Sequence, residues 1–354
     1  MNVLYVNDYS IDHTFEGVTK GYDHAAHLWG YDYFRKVENA CHVPVDQRFF
    51  NWQKRTQLYK AFGDIYQEIK IVNKREKIDF VIAANINLIW GLGYLKRFVQ
   101  LPCLVGILHS IPHYRNRFFK FLLKQHLGGI DKIFCIAKKD YFYLKNCFGF
   151  NEEKLSYLPW AANPQDYVVN FSDHLLSTST NRNYIISMGK SERDYQTLIE
   201  AFRQLSLPDM ELHIYSGSNY CSKGKDKNVK IFREFVRFKN SLERYYYSYL
   251  VVIPLMRSDR TLGLTSMFDA MAMGKAFLMT RNPGIDIDIE KEEIGLWVEP
   301  YNVDDIKDKL SFLINNPGIV KRYGENGKAY LNSKYNYNMF CEGLHRSLQA
   351  ILSK

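Results

Sequence analysis

Short runs that are apolar at every position alternate along this chain with longer stretches whose apolar residues recur at helical spacing. In the first half the runs are NVLYVND, DFVIAAN, CLVGILHS and DKIFCIA, with helices predicted from Asp23 to Glu38 and around Leu88 to Phe98. A strand apolar on both faces must be covered on both, and the crossover helices of a parallel sheet provide that cover. The rhythm restarts at NYIISMG and continues through ELHIYSG, VKIFREF, YLVVIPL, AFLMTRN and GLWVEP. Two doubly wound α/β domains are therefore expected, and a chain of 354 residues exceeds what one hydrophobic core usually supports. Between the two rhythms Asn163 to Arg182 is rich in Ser, Thr and Asn at its end, as a surface connection is. The boundary is placed near Gln165, giving domains over residues 1–165 and 166–335 and a last helix over 336–354. Ligands of such domains bind at the carboxyl ends of the strands.

Composition narrows the picture. The 46% hydrophobic and 24% charged fractions are those of a globular protein, and no stretch reaches the roughly 20 apolar residues of a membrane span. The opening MNVLYVND reads as a strand with no basic leader before it, which predicts a cytoplasmic protein. Six cysteines are scattered without a Cys-x-x-Cys pair, and several sit inside apolar runs, as reduced core thiols do. A net charge of +9 points to acidic partners: nucleotide phosphates, nucleic acid or an anionic lipid surface.

The segment Thr261 to Pro300, TLGLTSMFDAMAMGKAFLMTRNPGIDIDIEKEEIGLWVEP, carries the most chemistry. A helix is predicted from Thr265 to Met273 with Gly274 as its stop. The amides of Thr265 and Ser266 at its start suit an anion, and Asp269, one turn on, suits the hydroxyls of a ribose.

At this point the chain resembles the family-4 retaining glycosyltransferases, the glycosyl transferases group 1. Their signature Glu-x7-Glu-Ala-Met-Ala-x-Gly-Lys-Pro is answered by DAMAMGKAFLMT, followed by Gly284, Gly295 and VEP. A second stretch, SMGKSERDYQTLIEAFRQL from Ser187 to Leu205, resembles the family's strand, Gly-Lys turn and Leu-Ile-Glu-Ala helix. The resemblance implies a GT-B fold, two Rossmann-like doubly wound parallel-sheet domains facing a cleft, the first for the acceptor and the second for the nucleotide sugar. It places Lys190 and Arg193 on the family's two diphosphate-binding positions. Breaking the anomeric bond leaves negative charge on the diphosphate, and fixed donors there are worth about 3–4 kcal/mol each. It also implies donor contacts from Gly189, Gly263, Leu264, Thr265 and Ser266, a ribose contact from Asp269, and a base border along Phe232–Val236. His109 ends the strand CLVGILH where the family tends to carry a histidine, and Gly17 with Gly21 occupies the family's glycine loop after the first strand. Lys190, Arg193, His109 and Asp269 are thus the candidate catalytic residues. The first family glutamate falls on Thr261 and the second on Asp269, so recognition of the transferred sugar is altered.

The implied reaction needs no metal and no cofactor. Its donor is a nucleotide diphosphate hexose, a UDP-sugar being favoured, and its acceptor a glycan or lipid-linked saccharide of bacterial surface polysaccharide or glycolipid synthesis. The implied location is cytoplasmic, with peripheral contact at the inner face of an anionic membrane and no nucleic-acid partner. A nucleotide-sugar epimerase on the same fold, or a degenerate binding module, is the competing function.

Each candidate has a plainer reading. Lys190 and Arg193 occur as solvated turn residues, and His109 as a structural histidine. His109 and His113 have metal-ligand spacing, but Ser110 stands where a zinc protease has glutamate and Pro112 opposes the helix, so no metal is expected. Asp286 and Asp288 read as solvated loop acids, and Gly91 with Gly93 lacks the third glycine of a dinucleotide fingerprint. The stretch Tyr114 to Lys124, YRNRFFKFLLK, fits either an anionic lipid surface or a helix packed on the first domain.

Overall fold

The computed structural model describes residues 1–112, 116–168, 183–217, 227–234 and 236–353. The chain divides into two compact units. One comprises Met1–Lys20, His24–Ala161 and Tyr337–Lys354, the other Gly21–Asp23 and Ala162–Asn336.

The described residues of the first unit form a parallel sheet of β1 (Asn2–Val6), β2 (Asn39–His42), β3 (Phe80–Ala83), β4 (Cys103–Leu108), β5 (Lys132–Cys135) and β6 (Leu155–Tyr157), in the order β2-β1-β3-β4-β5-β6. The central strands are buried along both faces, as their unbroken apolar runs require. In the second unit the order is β12-β11-β10-β7-β8-β9, again all parallel. Its strands are β7 (Tyr184–Met188), β8 (Glu211–Tyr215), β9 (Val229–Phe232), β10 (Val251–Ile253), β11 (Phe277–Thr280) and β12 (Gly295–Val298). The chain reverses its direction of winding between β1 and β3 in one sheet and between β7 and β10 in the other. These are the switch points outside which open α/β sheets bind ligands.

Several expected elements are remodelled by packing. The helix expected from Asp23 to Glu38 is a 3-10 turn, Ala25–Leu28, and a helix, Tyr31–Val37, separated by the left-handed residues Trp29 and Gly30. The break lets the Gly30 amide donate to the Tyr337 hydroxyl at 2.8 Å, and that hydroxyl donates to Asp32 at 2.6 Å. Tyr337 opens the last helix, Tyr337–Leu352, which buries Phe340, Cys341, Leu344 and Leu348 in the first unit. The glycine loop expected around Gly17 is not a loop. Gly17 lies buried within the helix Ile11–Thr19, whose start is capped by Ser10 accepting from the His13 amide. Ile11, Thr14 and Gly17 recur at helical spacing on its buried side, and that periodicity outweighs the cost of one glycine. Gly21, at φ +68°, falls in the turn that follows.

The Gly91-x-Gly93 pair is a packing device. A Cβ on Gly93 would sit 2.2 Å from the His126 carbonyl oxygen, so glycine lets the helix Trp90–Leu95 close against Arg117–Gly128. Gly91 meets Glu68, a buried carboxyl that accepts from the Leu92 amide at the start of the same helix. Burial pushes that carboxyl well above its ordinary range.

Candidate functional site

Immediately after β7 the chain makes a tight turn through Gly189 to Asp194. The Asp194 amide donates to the Pro254 carbonyl at 3.0 Å, and Arg193 bridges to Leu255. The turn is thereby stapled to the segment that follows β10, across the switch point. Asp194 also caps the helix Tyr195–Gln204 by accepting from the Thr197 amide.

This stapling sets Arg193. Its guanidinium donates to the Met188 carbonyl at 3.4 Å, to the Ser191 carbonyl at 3.1 Å and to the Ser266 hydroxyl at 3.2 Å. It is not a solvated turn residue, and burial pulls its pKa below the ordinary value. Gly189 is required beside it: at φ +149°, any Cβ there would lie 2.4 Å from the Arg193 Nε. Lys190 is exposed, and its stem lies against Gly217, where a Cβ would come within 3.2 Å of its Cγ.

Ser266 belongs to the helix Leu264–Ala272, entered through Gly263 at φ +82°. A side chain at Gly263 would strike Met279 Cε at 2.7 Å, so only glycine lets the helix start this close to the strands beneath. No side chain caps the helix. First-turn amides have no partner within an α-helix and carry the positive end of its dipole, so Leu264, Thr265 and Ser266 present donors to an anion.

A cavity of about 160 Å³ opens at this switch point. Met188, Gly189 and Lys190 line it from β7, Tyr215 and Gly217 from β8, and Glu234 and Val236 from the segment after β9. Ser266 and Asp269 close it from the helix. Tyr245, from the helix Phe238–Tyr247, lies buried behind Ser266 and also lines the cavity. Tyr215 stacks on Phe232 at 4.5 Å and 9°, and the Arg244 guanidinium lies over the Tyr215 ring, 5.0 Å from its centroid. Asp269 is 6% exposed and accepts from the Tyr167 hydroxyl at 3.0 Å. Burial pushes its carboxyl up to about 8, so at neutral pH it stands largely protonated and not as a fixed anion.

The structure thus brings Gly189, Lys190, Val236, Ser266 and Asp269 into one cavity, with Arg193 tied to Ser266 at its edge. Gly263, Leu264 and Thr265 sit at the helix start beside it without lining it. Thr261 does not reach it: its hydroxyl is sealed from solvent and packs where a Cβ on Gly284 would meet it at 2.5 Å. Phe235 of the expected base border lies outside the described residues, as do His113, Tyr114 and Cys221. Tyr167, Tyr215, Gly217, Ser241 and Tyr245 are not legible in the sequence, because only folding carries them to Asp269 and Ser266, whereas Glu234 lies within the expected base border.

His109, at the end of β4, belongs to the first unit. Its Nε2–H donates to the Ala84 carbonyl at 2.7 Å, and its ring stacks on Trp29 at 4.5 Å. Burial lowers its pKa, which keeps the ring neutral near pH 7. The Asp286-x-Asp288 pair lines a separate cavity with Arg281 and Glu299, and Asp288 accepts from the Lys291 amide in a local turn.

Residues 175–330 match the family described as glycosyl transferases group 1. An uncharacterized glycosyltransferase of Methanocaldococcus jannaschii is 23% identical over 239 residues, covering 64% of this chain and 62% of its own length. The chain therefore spans less than two thirds of that relative. Among solved structures, sucrose-phosphate synthase from Thermosynechococcus elongatus is similar with a TM-score of 0.73 at 13% identity, over 99% of both chains. HepE of Anabaena, solved in complex with UDP, is similar with a TM-score of 0.73 at 14% identity, over 99% of this chain and 100% of its own.

Proposed function

We propose that this chain, whose residues 175–330 match the glycosyl transferases group 1 and whose fold is that of the similar solved glycosyltransferases, transfers a hexose from a UDP-sugar to a saccharide acceptor with retention of configuration. One observation carries the reading: Arg193, Lys190 and the uncapped start of the Leu264–Ala272 helix converge on a cavity that also holds the carboxyl of Asp269. Negative charge grows on the diphosphate as the anomeric bond breaks. Arg193, already fixed by three acceptors, meets that charge without reorganising, and Lys190 adds a second cation. Asp269 holds the ribose, while Val236 and the Tyr215–Phe232 pair border the base. The occurrence of UDP in the Anabaena protein of similar fold supports uridine. The chain supplies its own positive charge to the leaving group, so we propose no resident metal or cofactor.

The decisive test is a thermal-shift screen with uridine, guanosine and thymidine diphosphates and their sugars. A true ligand at 100 times its dissociation constant adds about 2.7 kcal/mol, and a donor that is consumed only when an acceptor is present separates transfer from epimerisation. If none of these nucleotides raises the midpoint, the proposed site is wrong.

A lipid-linked acceptor at the cytoplasmic face of an anionic membrane, in surface polysaccharide or glycolipid synthesis, fits one surface of the first unit. On the Arg117–Gly128 helix, Phe118 and Phe121 are 62% and 57% exposed, and Arg117 and Lys124 flank them. Arg97 donates to the Gln125 carbonyl of that helix, and Phe98, the next residue, is 72% exposed. Rings beside cations suit the boundary of an acidic bilayer. No described helix is long and apolar enough to cross one. Co-sedimentation with phosphatidylglycerol vesicles should be lost in a Phe118→Ser, Phe121→Ser variant, and a wild-type chain that ignores such vesicles removes this surface from the proposal.

A further inference from the structure

Tyr167 is the last residue of a single 3-10 turn, Pro164–Tyr167, held by Asn163 accepting from the Gln165 amide. Its ring stands edge-on to Phe238 at 5.6 Å and 85°. Its hydroxyl donates to Asp269 Oδ1 at 3.0 Å. Burial raises the phenol well above its ordinary value, so Tyr167 keeps the proton it donates to Asp269. Asp269 lines the cavity and is almost wholly desolvated. A carboxyl, ionised or protonated, has more than one hydrogen-bonding position, and the phenol takes one of them.

A lone buried carboxyl turns freely about its last bond, and a ribose then has to order it on binding. A donor clamped on one oxygen removes that freedom before the ligand arrives. We propose that Tyr167 is a positioning residue for ribose recognition: by clamping Asp269 it lets the cavity distinguish a nucleotide that carries its ribose hydroxyls from one that lacks them. The inference rests on the cavity being the nucleotide diphosphate site. Arg193 and the helix start act on the phosphates and are untouched by this clamp, so the loss of Tyr167 is specific to the ribose.

Calorimetric titration with UDP and with 2′,3′-dideoxy-UDP tests this. The wild-type chain should favour UDP by about tenfold or more, the difference expected when a buried polar group loses its partner. Tyr167→Phe keeps the ring and its Phe238 contact, and should bring the two nucleotides to within about threefold of each other by weakening UDP alone. Asp269→Asn, in a chain that retains Tyr167, should narrow the same gap, which guards against a Tyr167 variant that folds poorly. Unliganded thermal midpoints accompany each titration. A Tyr167→Phe chain that still prefers UDP as strongly as the wild type overturns the clamp, and so does one that weakens for both nucleotides alike, since that is a merely structural effect. A wild-type chain that binds neither nucleotide overturns the site itself and the clamp with it. Wild-type binding without discrimination leaves the phosphate site standing and overturns only the ribose role.

Discussion

The carboxyl ends of the two sheets share a topology and differ in chemistry. At the end of β7 the second unit gathers an arginine, a lysine, an uncapped helix start and a carboxyl. Where β3 and β4 end, the first unit gathers rings: His109 stacks on Trp29 at 4.5 Å, His27 on Trp160 at 5.9 Å, and His24 meets His27 at 5.1 Å. Burial lowers the pKa of both His24 and His109, which keeps those two rings neutral near pH 7, where the other unit gathers cations. A doubly wound sheet therefore specifies where a ligand binds, and the residues at its strand ends specify what binds there.

The contrast can be broken at several points. The largest effect on stability should come from Trp29→Ala in the ring cluster, because Trp29 is 6% exposed and such truncations cost about 3–5 kcal/mol. Urea denaturation measures it, and a loss below about 1 kcal/mol would mean that the rings are not a packed unit.

Next in size is Arg193→Ala. Removing one preorganised donor should cut turnover about 100- to 1,000-fold, equivalent to about 2.7–4 kcal/mol. Arg193→Lys should recover little, since a single ammonium cannot serve the Met188 and Ser191 carbonyls and the Ser266 hydroxyl at once. Near-parental turnover in either variant, with its fold intact, would place the departing phosphate elsewhere.

The smallest effect is a pH response of opposite sign in the two units. The folded pKa values of His24 and His109 lie below the unfolded value of 6.5, so the unfolded chain binds more protons there and the first unit loses stability as pH falls through and below 6.5. Asp269 lies the other way. Its folded value of about 8 exceeds the unfolded 3.8, so its contribution is present at low pH and is lost as pH rises toward 8. Native-state hydrogen exchange resolves the two sheets separately. Moving from pH 7.5 to 5.5 should lower protection in β1 and β3 relative to β7 and β10, after correction for intrinsic exchange. Equal shifts in both would remove this electrostatic distinction.

Local pattern made the central strands legible, because a parallel strand buried on both faces must be apolar at every position. Each strand of the second sheet falls in a run that the pattern picks out, although β8 and β9 carry Glu211, His213 and Lys230, whereas β2 and β6, at the edges of the first, do not. β2 is Asn39–His42 and alternates exposed with half-buried residues, and β6 is a three-residue strand, so neither forms an apolar run. Gly17 departs from the family's glycine loop for a related reason: the buried helical spacing of Ile11, Thr14 and Gly17 places it in a helix.

The amino-acid order by itself determined the two α/β rhythms, the helix start at Gly263–Ser266 and the cations after β7, because each lies within one contiguous stretch whose local chemistry is complete. Tertiary structure alone decided that Tyr167 reaches Asp269 across 102 positions, that Arg193 binds Ser266 across 73, and that the Thr261 hydroxyl is sealed away from the cavity its neighbours serve. Those outcomes depend on strand order and on the close approach permitted by Gly189, Gly263 and Gly284, which are long-range facts that no local pattern encodes.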